Sequence, residues 1–164
     1  MKSLADKICL MTFAIFMFMF GTVSAQTYGQ VLVTQGEPDS SNFAEEVLEL
    51  VNIERARVGV APLILSEELT ERANIRAEEI VKLFSHTRPD GSSCFTVFQG
   101  LNYRTCGENI AAGSPTPAEV VEQWMNSQGH RANILNGNFK YLGLGYCYNA
   151  NSKYDHYWVQ LFMG

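Results

Sequence analysis

The sequence is poor in basic residues and lacks an apolar run long enough to cross a membrane. Its 12 lysines and arginines are outnumbered by 17 acidic residues, which gives a net charge of −5 at pH 7. Nucleic acids and anionic membranes attract basic surfaces, so we expect neither as a partner. The longest apolar run, over residues 8–20, is shorter than the roughly 18 residues that a spanning helix needs. We therefore expect no stable membrane anchor.

The N-terminal segment has the pattern of a secretory signal peptide. Lys2 and Lys7 provide a positive start, the apolar run follows, and small residues end at Ala25. A membrane anchor is the alternative interpretation, and the short run with its small-residue exit favours cleavage after Ala25. The chain is then secreted, and its length suits one domain, expected to be a monomer. The expected segments are a signal peptide (1–25), a loosely ordered leader (26–41) and one domain (42–164).

Cysteine is scarce in the expected mature chain, which contains only Cys94, Cys106 and Cys147. In an oxidising compartment two of them should pair. The shortest bridge joins Cys94 to Cys106 and would contribute about 3 kcal/mol by closing a short loop. Cys147 lies in a strand-like segment and is then a small buried thiol. A bridge from Cys147 to either of the other two remains open as an alternative.

Amphipathic helices are predicted at three places. A capping box at Asn42 begins a helix that ends near Gly59. A second helix opens at Ser66. The third begins at Thr116, where a proline at the first helical position strengthens the signal. Gly129 is expected to end this third helix, after which the chain restarts as a polar and aliphatic segment.

Three short strands follow from the remaining patterns. Residues 109–112 and 141–148 are strand-like, and the glycines of the second segment indicate close approach of another backbone. Successive side chains of residues 154–162 should point to opposite faces of a strand, with Trp158 on one face and Val159 on the other. His156 is expected at the surface, although it could approach a cleft. Three strands are too few to stand alone, and helices should cover them in an α+β fold.

Three polar side chains stand at the ends of apolar elements: His86, Glu108 and His130. A lone carboxylate at Glu108 must reach solvent or find a partner, for which Arg131 is a candidate. A plainer interpretation is that both histidines stabilise helix ends. The repetition of the pattern in three separate segments favours a shared site.

Six short segments occur in an order and spacing that are specific together, although each is weak alone. They are Asn52-Ile53-Glu54-Arg55-Ala56 with Gly59 and Pro62-Leu63; Ser85-His86 with Arg88-Pro89-Asp90-Gly91; Gly107-Glu108-Asn109-Ile110-Ala111; Trp124, Ser127 and Gly129-His130-Arg131-Ala132-Asn133-Ile134-Leu135; Gly143-Leu144-Gly145; and Tyr157-Trp158-Val159-Gln160-Leu161-Phe162. Over residues 42–162 the chain resembles the CAP superfamily, also called SCP-like or cysteine-rich secretory, antigen 5 and pathogenesis-related 1 domains, and most closely its shorter bacterial branch.

The resemblance implies a three-layer α-β-α sandwich with a small antiparallel sheet and a shallow cleft. Two histidines and two acids line the cleft in the larger members of the family. His86, His130 and Glu108 match the first three positions, whereas Ser127 stands where the second acid would be. Glu122 does not replace that acid, because it lies two residues before the tryptophan and points to another side of the helix.

Three functions follow, in this order of preference. The first is a binding module. It binds a divalent metal, Zn²⁺, through His86 and His130, with Glu108 as an optional third ligand, or it binds a small wall, lipid or peptide ligand. The second is a secreted scaffold or adhesin in which these residues only stabilise the core. The third is a hydrolase that uses His86, Glu108 and His130, with Glu108 as general base. A Ser127/His130 dyad is a further catalytic candidate.

Overall fold

The structure, a computed structural model, describes residues 37–164. Its elements are α1 (Phe43–Arg57), β1 (Ile64–Leu65), α2 (Glu67–Lys82), a 3₁₀ helix (Cys94–Phe98), β2 (Cys106–Ala112), α3 (Pro117–Asn126), α4 (Gln128–Ile134), β3 (Tyr141–Asn149) and β4 (Asp155–Met163). The expected signal peptide and most of the leader lie outside the described residues, and residues 37–41 form no helix or strand. None of the helices within the described range has the length and apolarity that crossing a bilayer requires.

The four strands form one mixed sheet in the order β1-β3-β4-β2. Strand β4 pairs antiparallel with both β3 and β2, as the three predicted strands require. Strand β1 pairs parallel with β3 through only Ile64 and Leu65. A two-residue strand has no periodicity, so no sequence pattern predicted this fourth strand. The expected antiparallel sheet is therefore extended at one edge by a short parallel strand.

Strand β4 lies inside the described domain, because both of its faces are buried. Trp158 and Phe162 belong to the core cluster that includes α1 and α3. Val159 and Leu161 belong to the cluster that includes α2. Each fully buried side chain of this size stabilises the fold by about 1.5–3 kcal/mol. The two clusters confirm the predicted alternation of β4 and the three-layer α-β-α arrangement.

Helix α2 lies directly on β3 at two glycines. A Cβ atom added at Gly143 would be 2.3 Å from the carbonyl carbon of Leu69, and one added at Gly145 would be 2.0 Å from the carbonyl oxygen of Ala73. Next to this contact, the amide of Leu144 donates to the hydroxyl oxygen of a threonine on α2. The close approach that the glycines predicted therefore occurs, and the layer that carries α2 is fixed on the sheet.

All three predicted helices begin where the sequence places them, and two of the three predicted capping bonds form. The side chains of Ser66 and Thr116 accept hydrogen bonds from the amides of Leu69 and Glu119. Asn42 makes no capping bond, so that prediction was wrong. Its φ of −109° and ψ of 5° differ from the extended backbone of the other two caps, and a side chain so placed does not reach the first turn.

A buried arginine holds the end of α4 against α1. Arg55 is fully buried, and its guanidinium donates to the carbonyl oxygens of Ala61 at 2.7 Å, Ile134 at 2.6 Å and Asn136 at 3.0 Å. Burial lowers the pKa of Arg55. A cation beside the last carbonyls of a helix is favourable, because those groups carry the negative end of the helix dipole. Arg55 thus fixes the position of the helix that contains His130.

We predict opposite effects for alanine at two glycines. Gly145→Ala forces α2 away from β3 and should lower the free energy of unfolding by about 3 kcal/mol, at the upper end of the usual cost of overpacking. An added Cβ at Gly129 meets nothing within 4 Å. Because Gly129 lies inside α4, Gly129→Ala should raise the free energy of unfolding by up to about 1 kcal/mol. Urea denaturation of both variants measures these changes, and equal stabilities would contradict the close packing.

Candidate functional site

His86 begins a short hairpin, residues 86–94, that follows α2. We call this segment the His86 hairpin. The amide of Cys94 donates to the carbonyl oxygen of His86 at 2.9 Å, which closes the hairpin. Gly91 at its tip has a φ of 85°, a conformation that glycine adopts freely and that the Pro-Asp-Gly turn predicted. His86 and Cys94 are therefore held opposite one another on the two arms.

Glu108 lies on β2 with a side chain only 1% exposed, and Arg76 of α2 compensates its charge. Arg76 Nε donates to Oε2 of Glu108 at 2.8 Å, and Nη2 donates to Oε1 at 3.3 Å. The prediction that Arg131 pairs with Glu108 was wrong, since Arg131 donates instead to the carbonyl oxygen of Met125. Neighbouring residues of a strand point to opposite faces. Glu108 points towards α2, whereas Arg131 belongs to α4 on the other side.

The ion pair extends away from the cleft into a chain of alternating charges. Arg76 Nη1 donates to Glu79 at 2.6 Å, and Arg88 of the His86 hairpin donates to the same carboxylate, also at 2.6 Å. Arg76 also donates to the carbonyl oxygen of Ser85, next to His86, at 2.9 Å. These bonds fix the first arm of the His86 hairpin to α2.

His86 contacts Glu108 directly. Nδ1 of His86 lies 2.8 Å from Oε1 of Glu108. Burial would raise the pKa of Glu108, but hydrogen bonds from His86 and Arg76 and the charge of Arg76 outweigh burial and lower it. Glu108 is therefore ionised, and Nδ1 of His86 must be the donor. In the neutral ring Nε2 keeps its lone pair, and the side chain is 56% exposed, so Nε2 can bind a ligand from solvent.

His130 lies on α4, which two asparagines fix to β2. Asn109 Nδ2 donates to the carbonyl oxygen of His130 at 3.1 Å, and Asn133 Nδ2 donates to Oδ1 of Asn109 at 2.8 Å. Burial lowers the pKa of His130, and a charge on nearby His86 lowers it further. A lowered pKa favours the neutral imidazole, which is the form that binds metals.

Ser127 separates α3 from α4, and the predicted break at Gly129 was wrong by two residues. Ser127 has an extended backbone, with φ −99° and ψ 123°, and occupies the C-cap position of α3 and the N-cap position of α4. Gly129 lies in the first turn of α4. The side chain of Ser127 makes no capping bond. Within residues 37–164 it has no hydrogen bond to His130, so the geometry does not support the dyad.

The other residues considered from the sequence lie elsewhere. Glu122 is exposed and lines a groove between α1 and α3. His156 lies at the opposite end of β4 from Leu161, which pairs with Glu108. Its Nδ1 atom is 2.8 Å from the hydroxyl of Tyr146. His156 therefore belongs to an aromatic cluster and not to the cleft.

The predicted disulfide is absent, because Cys94, Cys106 and Cys147 are all free thiols in the described part of the chain. The two expected partners interact with different groups. Burial raises the pKa of Cys94 to about 12, and the nearby charge of Glu108 and a hydrogen bond to that carboxylate raise it as well. Cys106 interacts instead with the hydroxyl of Tyr103. Cys147 is a half-buried thiol on β3, in agreement with its expected role.

Beside His86 is a cavity of about 330 Å³. Cys94, Phe95, Cys106 and Glu108 line it together with His86. A ring nitrogen of His86, Sγ of Cys94 and a carboxylate oxygen of Glu108 all lie within 4.8 Å of one another. The structure thus places a thiol beside two of the three residues selected from the sequence, whereas His130 belongs neither to the lining of this cavity nor to this group.

The sequence interpretation missed Arg76, although a signal was present. Leu69, Ala73, Ala77 and Ile80 form the buried stripe of α2, and Arg76 lies on the same face. An arginine within an apolar stripe requires a buried acceptor, because an unpaired buried charge is costly. Searching for that acceptor among the isolated acids would have led to Glu108. The hydrogen-bonding roles of Asn109 and Asn133 had no comparable signal.

We predict that Arg76→Met destabilises the protein strongly. It leaves the buried carboxylate of Glu108 without its cation, which should lower the free energy of unfolding by about 3–5 kcal/mol in urea denaturation. Arg57→Met is the control, because Arg57 is exposed and pairs with Glu54 on the surface. Its effect should stay below about 1 kcal/mol. Similar losses in the two variants would exclude a special role for the buried pair.

We also predict a loss of stability in acid that depends on Glu79. Burial would raise the pKa of Glu79, but Arg88 and Arg76 lower it below its ordinary value. Its stabilising contribution is therefore fully present above about pH 4.3 and is lost as the pH falls through the lower folded-state pKa. Glu79→Gln should flatten the decline of unfolding free energy below pH 4.3, measured by urea denaturation at several pH values. Glu122→Gln should leave that decline unchanged; flattening in both variants would refute the assignment.

Comparison with known proteins agrees with the resemblance seen in the sequence. The model of the cysteine-rich secretory protein family, CAP, matches residues 48–162. The uncharacterized protein YkwD of Bacillus subtilis (strain 168) is 40% identical over 136 residues, which cover 80% of this chain and 51% of YkwD. The chain thus spans about half the length of this relative.

Two solved structures share the fold. An extracellular protein containing an SCP domain from Bacillus anthracis str. Ames has a TM-score of 0.66 and 28% identity, over 75% of this chain and 40% of that one. A crystal structure of NaASP2 with Zn²⁺ has a TM-score of 0.54 and 18% identity, over 77% of this chain and 83% of that one. With a family model that matches most of its length and a fold shared with an SCP domain, the chain belongs to the cysteine-rich secretory protein, or CAP, family.

Proposed function

We propose that the chain is an extracellular binding module whose cleft binds a divalent metal, Zn²⁺, through His86 and His130. The observation that carries the proposal is the 2.8 Å contact between Nδ1 of His86 and Glu108. Histidines that bind metals commonly donate their other ring nitrogen to a carboxylate, which fixes the ring and its tautomer. Glu108 is thus suited to orient His86, and the exposed Nε2 atom is suited to bind the ion.

The donor groups fit zinc better than calcium or magnesium. Imidazole nitrogen suits Zn²⁺, whereas Ca²⁺ and Mg²⁺ prefer several oxygen ligands. The lowered pKa of His130 keeps its ring available at neutral pH. A bound zinc ion would supply a Lewis acid with positions open to water or to a donor atom of a small wall, lipid or peptide ligand. NaASP2, which shares this fold, was crystallised with Zn²⁺.

The extracellular location is part of the proposal. The signal-peptide pattern of residues 1–25 supports it, with cleavage after Ala25. The related SCP-domain protein of Bacillus anthracis is extracellular. The acidic composition of the chain is consistent with a partner other than nucleic acid.

A hydrolase that uses Glu108 as general base has less support. A general base works best with a pKa near the working pH. The arginine and histidine donors lower the pKa of Glu108 and occupy both of its oxygens. Proton abstraction by this carboxylate would break its contact with Arg76 or His86. The same network does favour the scaffold alternative, in which Glu108 only stabilises the fold.

Calorimetric titration with Zn²⁺ tests the proposal. The wild-type protein should bind one ion. His86→Ala and His130→Ala should each weaken binding by more than the roughly 10–100-fold that loss of an outer-shell partner costs. His156→Ala is the matched control and should bind as the wild type does. Thermal unfolding of each variant checks that it is folded.

Two results would contradict the proposal. The first is the absence of binding heat with the wild-type protein. The second is binding that His86→Ala and His130→Ala leave unchanged, because the ion would then be held elsewhere. If neither histidine affects binding while both substitutions lower the melting temperature, the scaffold alternative is supported.

A further inference from the structure

The thiol of Cys94 is buried beside His86 and forms no disulfide in the described part of the chain. Cys94 is only 3% exposed, and its sulfur lies in the group with His86 and Glu108 whose ligand atoms are within 4.8 Å of one another. The hydrogen bond that closes the His86 hairpin keeps Cys94 opposite His86. The three groups come from three rigidly connected pieces of backbone, so their proximity is a built feature of the fold.

The separation of these atoms is close to what one ion requires. Zinc binds sulfur at about 2.3 Å and nitrogen at about 2.0–2.1 Å, so ligands in a tetrahedral site lie roughly 3.3–3.8 Å apart. The observed limit of 4.8 Å exceeds this by about 1 Å. Small side-chain movements that keep the bond between His86 and Glu108 supply a shift of that size. The cavity of about 330 Å³ beside these residues can hold an ion with water.

We infer that Cys94 is a ligand of the metal ion bound at His86, in the form of a thiolate, and that the cleft therefore selects thiophilic divalent cations. This inference rests on the proposed function. Thiolate ligands favour Zn²⁺ and Co²⁺ over Mg²⁺ and Ca²⁺. Glu108 and His130 contribute as the proposed function describes, and Cys94 adds a soft ligand that the two histidines alone do not provide.

Binding exchanges a proton for the ion. The S–H bond of Cys94 breaks, a sulfur–metal bond forms, and the proton passes to water or buffer, with no oxidation or reduction. In the free protein burial and the nearby charge of Glu108 raise the pKa of Cys94, so the thiol is protonated. The ion supplies the positive charge that the proton had supplied beside Glu108. One proton is therefore released at Cys94 for each ion bound.

Cys106 provides a matched comparison. It lines the same cavity, but its thiol interacts with Tyr103 and lies outside the ligand group. Cys106→Ser therefore removes a nearby thiol without removing the inferred ligand. Cys94→Ser removes the sulfur ligand and keeps a small polar side chain of similar shape, so the fold should be retained.

Titration with Co²⁺, in a buffer that contains a phosphine reductant to keep the thiols reduced, tests the inference. A cobalt–thiolate bond gives an intense near-ultraviolet charge-transfer band, whereas cobalt bound only to imidazole and carboxylate does not. The wild-type protein and Cys106→Ser should both show the band, and Cys94→Ser should lose it. Zinc calorimetry in buffers of different ionisation enthalpy should show that Cys94→Ser releases one proton fewer than the wild type.

The outcomes separate this inference from the proposed function. If zinc binds through the histidines while wild-type protein lacks the cobalt–thiolate band, Cys94 is not a ligand and the proposed function stands. A band that disappears in Cys106→Ser and persists in Cys94→Ser also overturns the inference. Absence of any metal binding by the wild type overturns both. If Cys94→Ser fails to fold, Cys106→Ser decides. A cobalt–thiolate band in Cys106→Ser that is accompanied by proton release supports Cys94 as the ligand, and absence of the band in that variant refutes the inference.

Discussion

The buried ion pair between Glu108 and Arg76 is the interaction on which the site depends. A carboxylate that is only 1% exposed must be matched by a charge and by hydrogen bonds, since leaving it unpaired costs several kcal/mol. Arg76 supplies both, and its remaining N–H groups reach Glu79 and the carbonyl oxygen of Ser85. Arg76, which neutralises Glu108 on β2, therefore also fixes the start of the His86 hairpin. The ion pair of Glu108 thus positions His86, which contacts the same carboxylate.

The alternation of side chains along β2 connects the cleft to both helical layers. Glu108 points to α2 and the His86 hairpin, and Asn109 points to α4, where it accepts from Asn133 and donates to the carbonyl oxygen of His130. β2 is the edge strand of the sheet, so the two layers meet beside it. Two adjacent residues thus determine where His86 and His130 lie relative to one another. Arg55 fixes the other end of α4 through carbonyl oxygens.

Regular elements could be predicted from the sequence because their signals are local. The caps at Ser66 and Thr116 and the two faces of β4 follow from spacing alone, and the structure contains them. The partner of Glu108 could not be chosen by spacing, since Arg76 lies 32 residues away and pairs with it only after α2 packs on the sheet. The family resemblance selected His130 as a cleft candidate but carried no information on Arg76. The pairing of Cys94 failed for a related reason. Short separation along the chain suggested a bridge to Cys106, whereas the hairpin places the free thiol within 4.8 Å of ligand atoms of His86 and Glu108.

The arrangement around Glu108 also determines which chemistry the cleft can support. Its Oε2 atom accepts from Arg76, and its Oε1 atom accepts from both Arg76 and His86. A carboxylate with its oxygens so occupied is a poor base, because each donor stabilises the ionised form. It is a good orienting group, because the same donors restrict its rotation. The groups left to bind a ligand are the exposed Nε2 atom of His86, the neutral ring of His130 and the thiol of Cys94, and all three are ligands that suit zinc rather than calcium. Because Glu108 is bound by Arg76, ligand binding in the cleft depends on the imidazoles and the sulfur around the acid and not on the acid itself.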